Sequence, residues 1–510
     1  MMNSVGREIP ERIPGYSVVR PFKGAFTATD IALPRPPHFR TTQARKVIDN
    51  IQDLLDVVDL RDGATISFHH HLRNGDVVLN MVLDEIARRG LRGITVAASS
   101  LFSCHAPLIE HIKGGVVTGI NTTYVSGPLG IAIAQGILAE PMVMQTHGGR
   151  ARAIETGELK IDVAFVAAPT ADVYGNCTGA EGRSACGPLG YPMVDVRHAD
   201  RVAVITDNLS PYSVRPCDIT QDQVDHVVEV CSIGDPAGIA SGSTCATDDP
   251  GGLGIAHTAT QVIAASGLLT DGLSFQTGAG GISLAVANEL KLKMRDLGIR
   301  GSFASGGITA YLVDMLEEGL FRRLYDVQCF DLKSVDSYRR NPAHIAMSAS
   351  TYANPDAEGA IVDQLDVVIL GASEIDLDFN VNVTTGSNGV ILGGSGGHAD
   401  TAAGAKLAIV TTKLVARGFP KVVDRVTTLT TPGETIDVLV TDAGVAVNPA
   451  RVDLRNRLLA EGIDVVPISH LRDLARAGTG APSVPVPSGR IVAVVEYRNG
   501  TVIDVVRAIP

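Results

Sequence analysis

The feature that most constrains this chain is that it repeats itself. Leu60-Arg61-Asp62-Gly63 recurs as Leu269-Thr270-Asp271-Gly272, Gly90-Leu91-Arg92-Gly93 as Gly298-Ile299-Arg300-Gly301, and Asp162-Val163-Ala164-Phe165 as Asp366-Val367-Val368-Ile369, with a nearly constant offset. Each copy reads as strand, loop, helix and strand, followed later by an apolar strand headed by the aspartate. Strands alternating with helices imply a mostly parallel sheet with right-handed crossovers. Two such halves facing one another leave a cleft, where ligand sites collect. The expected fold is α/β, with an arm over 1–43, a first half over 44–235, a second half over 236–475, and a linker and hairpin over 476–510.

The copies diverge after their first strands. The second half carries Gln276-Thr277-Gly278-Ala279-Gly280-Gly281, where the first carries Ser67-Phe68-His69-His70-His71-Leu72. Glycines at Gly278, Gly280 and Gly281 let backbone N–H groups approach a ligand oxygen, because no Cβ stands in the way. The histidines suggest a different task. On extended backbone consecutive residues face opposite ways, so only His69 and His71 could share an ion. With no acid or cysteine ligand pattern beside them, no metal site is expected.

The chemistry is expected between Leu365 and Ala405. Val367 to Leu370 reads as a strand buried on both faces, and Glu374 follows about where active groups of open α/β sheets collect. A second strand is expected at Val390 to Leu392. The cluster Gly393-Gly394-Ser395-Gly396-Gly397-His398 should then open a helix over Thr401 to Ala416. Glu374 corresponds roughly to Thr170 of the first half, which has Asp172 but no glutamate there. A carboxylate beside bare amides suits acyl transfer, and Glu374 is the expected catalytic residue, as nucleophile or as a positioning group.

The flanks are plainer. Prolines 10, 14, 21, 34, 36 and 37 forbid a helix in the arm, which is expected to lie extended over another surface, in an oligomer that of a neighbour. Apolar spacing predicts a helix over Gln43 to Leu55. Strand Ile436 to Val440 and helix Asp453 to Gly462 precede a proline- and glycine-rich linker at Gly478 to Gly489. Arg498-Asn499-Gly500 between two β-rich runs predicts a hairpin. A net charge of -12 and pI near 5.5 argue against nucleic acid and membrane surfaces as partners. Seven scattered cysteines without a CxxC pair read as reduced thiols, and no secretory signal or long apolar run appears, so a cytoplasmic protein is expected.

Ala372-Ser373-Glu374-Ile375-Asp376 with Asn380-Val381-Asn382-Val383 and GGSGGHADTA resembles the acid-plus-glycine signature of the CoA-transferase superfamily. More narrowly, SFHHHLRNGDVVLNMV from 67, CHAPLIEHIKGGVVTGI from 104, QTGAGGISLAV from 276 and FASGGITAYLVD from 303 resemble the citrate lyase alpha-subunit family. The resemblance implies two CoA-transferase-like halves exchanging the acetyl group of an acetyl thioester for citrate, giving citryl thioester and acetate. It implies no covalently bound cofactor, a CoA-like thiol arm supplied by an acyl-carrier protein or CoA, a lyase subunit as a further partner, and a homo-oligomer within a larger complex. In the wider superfamily the glutamate matching Glu374 is the nucleophile; in citrate lyase transferases the substrate carboxylate is described as attacking directly. The resemblance further casts Gly278, Gly280, Gly281, Gly393, Gly394, Gly396, Gly397 and His398 as thioester and oxyanion contacts. His69, His71, Arg73, His147 and Arg150, with Arg183, could gather to hold a tricarboxylate. A malonate decarboxylase-type transferase and a non-catalytic acyl-CoA-binding scaffold are the alternatives.

Overall fold

The computed structural model describes residues 1–28, 33–38, 40, 46–240, 244–479 and 489–509. Two sheets carry the duplicated halves. The first runs Val47–Ile48, His226–Glu229, Arg201–Thr206, Val163–Ala168, Thr65–Phe68, Ile94–Ala98, Val117–Thr122, Met142–Met144, Ile491–Glu496 and Val502–Arg507. The second runs His344–Ala346, Phe321–Cys329, Gly301–Ile308, Ser274–Thr277, Val367–Gly371, Leu407–Thr411, Val438–Thr441 and Gly444–Val447. Every pairing is parallel except the last of each sheet. The fold is thus the mixed, mostly parallel α/β architecture that the repeats imply.

The duplication extends to single hydrogen bonds. Asp62 accepts from Arg92 N at 2.7 Å, as Asp271 does from Arg300 N at 2.9 Å. Asp162 accepts from Thr65 N and Asp366 from Ser274 N, both at 2.8 Å, so each repeated aspartate ties its strand to the start of the neighbouring one. Beyond each of these strands, Thr170–Asp172 and Glu374–Asp376 occupy corresponding places. Asp172 then holds Asn176 as Asp376 holds Asn380. Glu374 therefore stands where the first half has Thr170.

Three expected elements differ. Val47–Ile48 is a strand paired to Val227 and Val228, and the helix begins only at Ile51 because Asn50 caps it by accepting from Asp53 N; residues 43–45 lie outside the described residues. The helix expected over Thr401 to Ala416 spans only His398–Gly404, since the β-branched run at Leu407–Thr411 is buried on both faces as a central strand. Val390 to Leu392 is not a strand: Ile391 makes a single bridge to Thr385 across a turn at Gly389, φ 79°. Most of the expected linker, 480–488, lies outside the described residues.

The hairpin forms as expected and joins the first sheet beside Met142–Met144. The described start of the arm covers this same chain's hairpin. Ile9 and Ile13 are buried against Val494 and Val502, and Asn3 Nδ2 donates to Ile503 O at 2.8 Å. Among the described residues no helix is long and apolar enough to cross a membrane.

Candidate active site

Glu374 sits on a three-residue strand whose middle residue, Ile375, points into the second half's core, so Glu374 and Asp376 face the other way. Its partner across the strand pair is Asn382. Asn382 Nδ2 donates to Glu374 Oε2 at 2.9 Å, Thr427 N to the same oxygen at 2.7 Å, and Thr427 Oγ1 to Oε1 at 3.1 Å. Asn382 is itself fixed, since its Oδ1 accepts from Thr384 N and Thr385 N, each at 3.0 Å. The carboxylate is enclosed at 2% exposure. Thr427 lies on a segment whose Val426 and Leu429 belong to the first half's core, and Leu429 N donates to Asp504 of the hairpin at 2.7 Å. Glu374 thus stands at the seam between the halves.

The two glycine turns are built for different purposes. A side chain at Gly278 would meet nothing closer than 3.6 Å and one at Gly280 nothing within 4 Å, while Gly281 is tighter, 3.3 Å from Cys245 O. Packing does not require glycine at the first two, which leaves the turn open at the start of helix Gly281–Leu297. The N–H of Gly278 is already given to Ile369 O at 2.9 Å. In the second turn a Cβ would fall 2.2 Å from Val383 O at Gly393, 2.3 Å from Thr123 O at Gly394, and 2.4 Å from Tyr352 Oη at Gly397. Gly396, at φ 50°, donates to Thr123 O at 3.1 Å and accepts from His147 N at 2.8 Å. Gly394 and Gly396 let the second half press directly against the first, while Gly393 and Gly397 give room to Val383 and Tyr352 of their own half.

His398 follows that turn and joins it to the strand end. Its Nε2 faces Gly371 O at 2.9 Å, an acceptor only, so Nε2 carries the proton and Nδ1 accepts from Thr431 Oγ1 at 2.8 Å. Burial pushes its pKa down to about 4. Two residues later, Asp400 reaches across the seam, accepting from Thr146 Oγ1 at 2.8 Å and Gly148 N at 3.0 Å. Burial raises this acid to about 6, against the pull of Arg498 and these donors.

The histidine and arginine positions do converge, at the end of strand Thr65–Phe68. Arg150 forks onto Asp195 at 2.9 and 2.8 Å and donates to Ala97 O at 3.0 Å, so its guanidinium is largely committed inside the protein. His69 Nε2 stands 3.7 Å from Asp195, beyond a hydrogen bond. Both ring nitrogens of His69 and of His71 lack hydrogen-bond partners among the described residues, and burial holds the two rings neutral, at about 4 and about 3. Arg73, at φ 51°, lies 4.5 Å from the Phe330 ring centroid. Thr123 Oγ1 donates to Ser99 O at 2.5 Å, so it accepts from His147 Nδ1 at 3.1 Å, and His147 Nε2 in turn accepts from Tyr191 Oη at 2.9 Å. Burial puts His147 at about 3. Arg183 leaves the group and pairs with Asp207 at 3.3 Å.

Several residues of this seam escaped the sequence reading. Tyr352 Oη accepts from Gln276 Nε2 at 2.7 Å, and Gln276 Oε1 accepts from Ser305 Oγ at 3.0 Å. Tyr191, Asp195 and Asp400 were also unmarked. Asp326, Cys329 and His344 form, among the described residues, the one group of three whose donor atoms lie close enough to share an ion. Their hydrogen bonds already account for it: Asp326 Oδ2 accepts from His344 Nε2 at 3.0 Å and from Cys329 Sγ at 3.1 Å.

The comparisons with known proteins decide the family. The sequence model described as "Citrate lyase, alpha subunit (CitF)" matches residues 44–509. The citrate lyase alpha chain of Escherichia coli (strain K12) is 50% identical over 465 residues, 91% of each chain. The chain belongs to the citrate lyase alpha-subunit family. The alpha chain from Klebsiella pneumoniae is 48% identical over 465 residues, covering 91% of this chain and 92% of that one. A crystal structure of the putative citrate lyase alpha subunit of Streptococcus mutans, in complex with citrate, superposes with TM-score 0.96 over 100% of both chains at 44% identity. A Pseudomonas malonate decarboxylase hetero-tetramer structure in complex with malonate matches with TM-score 0.62 at 17% identity, covering 85% of this chain and 86% of that one, a likeness of fold alone.

Proposed function

We propose that this chain is the transferase subunit of a citrate lyase, exchanging the acetyl group of an acetyl thioester for citrate. The observation that carries this reading is the near-complete superposition on the Streptococcus mutans relative solved with citrate. The malonate decarboxylase alternative rests on fold likeness only, and a non-catalytic scaffold would leave the uncommitted ring nitrogens of His69 and His71 without purpose. The thiol comes on the CoA-like arm of an acyl-carrier protein or on CoA, with no cofactor bound covalently to the chain. A carrier protein and a lyase subunit are the partners, in a cytoplasmic complex holding several copies of this chain.

The exchange conserves a thioester. A citrate carboxylate oxygen bonds to the acetyl carbonyl carbon and the thiolate leaves, giving an acetic–citric anhydride. The thiolate then attacks the citryl carbonyl of that anhydride and acetate departs. Each attack puts charge on a carbonyl oxygen, where fixed backbone N–H groups lower the barrier; removing one such donor typically costs about 3 kcal/mol. The open turn suits that purpose through the N–H groups of Gly280 and Gly281, that of Gly278 being held by Ile369 O, and Gly393, Gly394, Gly396, Gly397 and His398 form the second turn of the site. His69 and His71, with Arg73, offer N–H groups to the citrate carboxylates, while His147, with both ring nitrogens engaged by Thr123 and Tyr191, positions the site beside them, and Arg150 holds its floor through Asp195.

Glu374 is enclosed and accepts three hydrogen bonds, which favours a holding role over nucleophilic attack. Its grip on Thr427 keeps the seam segment in place while citrate attacks directly. Mixing the chain with acetyl thioester alone, then treating with hydroxylamine and mapping peptides, tests this. An unmodified Glu374 is expected, and a hydroxamate at that residue overturns the direct route.

A further inference from the structure

Tyr352 is buried at 2% exposure between the two glycine turns, in the middle of the seam. Its ring lies 6.5 Å from that of His147, and its oxygen sits so close to Gly397 that a Cβ there would come within 2.4 Å of it. The hydroxyl accepts from Gln276 Nε2, and Gln276 is the residue that leads into Thr277 and the open turn at Gly278. Gln276 is oriented in its turn, because Ser305 Oγ donates to its carbonyl oxygen. That fixes which way round the amide stands: its NH₂ faces the tyrosine, so the tyrosine can only accept from it.

The consequence is a spare proton. The phenolic O–H of Tyr352 has no acceptor among the described residues, and a buried donor without an acceptor is rare unless a ligand supplies one. The phenol stays protonated at any working pH, since burial raises its pKa above the ordinary range. We infer that Tyr352 donates its hydroxyl hydrogen bond to the thioester carbonyl oxygen as charge develops there, supplementing the backbone amides. No proton is transferred: the O–H bond stays intact, and the hydrogen bond strengthens while the carbonyl oxygen is negative. The inference rests on the transferase reading proposed above.

The test compares Tyr352→Phe with wild type in citrate-dependent acetate release from an acetyl thioester, with Tyr338→Phe as control. Tyr338 is half-buried and also reaches across the halves, but its hydroxyl hydrogen is committed to Asp218 at 2.5 Å and is not available to a ligand. Tyr352→Phe is expected to lower kcat by about 100-fold, with the KM for citrate and for the thioester changed less than threefold, while Tyr338→Phe keeps wild-type kcat. A kcat for Tyr352→Phe within threefold of wild type overturns the inference. Should Tyr352→Phe melt far below wild type, Gln276→Glu gives the second arm, because a carboxylate at 276 accepts the tyrosine proton and withdraws it without altering the tyrosine. The same kcat loss is expected, and an unchanged kcat overturns the inference. Wild type showing no citrate-dependent release overturns the proposed function and this inference together, whereas normal release with a silent Tyr352→Phe removes this inference alone.

Discussion

Replacing Arg150 by Ala separates two uses of a guanidinium, holding substrate and holding the protein. Arg150 is 3% exposed and its fork onto Asp195 is bidentate, with Asp195 fully buried. Burial alone would raise the Asp195 pKa, and Arg150 together with His69 holds it below the ordinary range instead. Deleting one partner of a buried pair leaves the other charge uncompensated, at a cost of about 3–5 kcal/mol. The sign with pH follows. Without Arg150, Asp195 has a folded pKa above its unfolded value, so protonation relieves the defect at low pH and the deficit grows as pH rises through the folded pKa. Urea unfolding at pH 5 and pH 8 should show Arg150→Ala destabilised at both and more so at pH 8. The double variant Arg150→Met with Asp195→Leu should recover most of the loss, since apolar residues of similar volume replace such pairs at little cost. An Arg150→Ala protein as stable as wild type but with a greatly raised KM for citrate would refute the reasoning and give the guanidinium to the substrate.

Other outcomes follow from the seam. Burial lowers His69, His71, His147 and His398 to between about 3 and about 4, below the unfolded value near 6.5. The contribution of these four should therefore be level above pH 6.5, and stability should fall as pH drops from there toward 4, by about 1.4 kcal/mol per histidine per pH unit, which a pH series of melting curves reads; a flat profile between pH 6.5 and 4 contradicts it. His105 does not offset this loss. Although burial opposes its charge, Asp76 holds it at about 9, so its contribution is present in full well below 6.5 and is lost as pH rises from there through 9. Asp400→Asn, unable to accept from both Thr146 and Gly148 through two oxygens, should lose about 1–3 kcal/mol in denaturant titration. Gly397→Ala should destabilise by a similar amount through its clash with Tyr352, whereas Gly280→Ala should melt like wild type and lose activity only if a ligand approaches that turn.

What the sequence disclosed was whatever the duplication repeats locally. Asp162 and Asp366 stand out because each heads an apolar strand, and the structure gives both the same bond to the neighbouring strand. The correspondence of Glu374 with Thr170 was legible for the same reason. Element ends were less so: Leu407–Thr411 continues an alanine-rich helical stretch, and only its burial on both faces makes it a strand. Val47 and Ile48 fit a helical face equally well until Asn50 offers its cap. The partners of the seam could not be read at all. Nothing near Arg150 points to Asp195, and nothing near Asp400 points to Thr146, because those pairs form only once the halves and their crossovers are packed. Tyr352 carried no motif; its meaning comes from Gln276 and Gly397, distant in sequence, which are both brought to its hydroxyl.

Direct attack by citrate can be read from a label. With citrate carrying ¹⁸O in its carboxylates and one turnover of acetyl thioester, the anhydride's bridging oxygen comes from citrate and leaves with acetate. Released acetate is predicted to contain one ¹⁸O atom by mass spectrometry. Acetate that leaves unlabelled in that first turnover, having taken its oxygen from an enzyme carboxylate such as Glu374, would contradict the account.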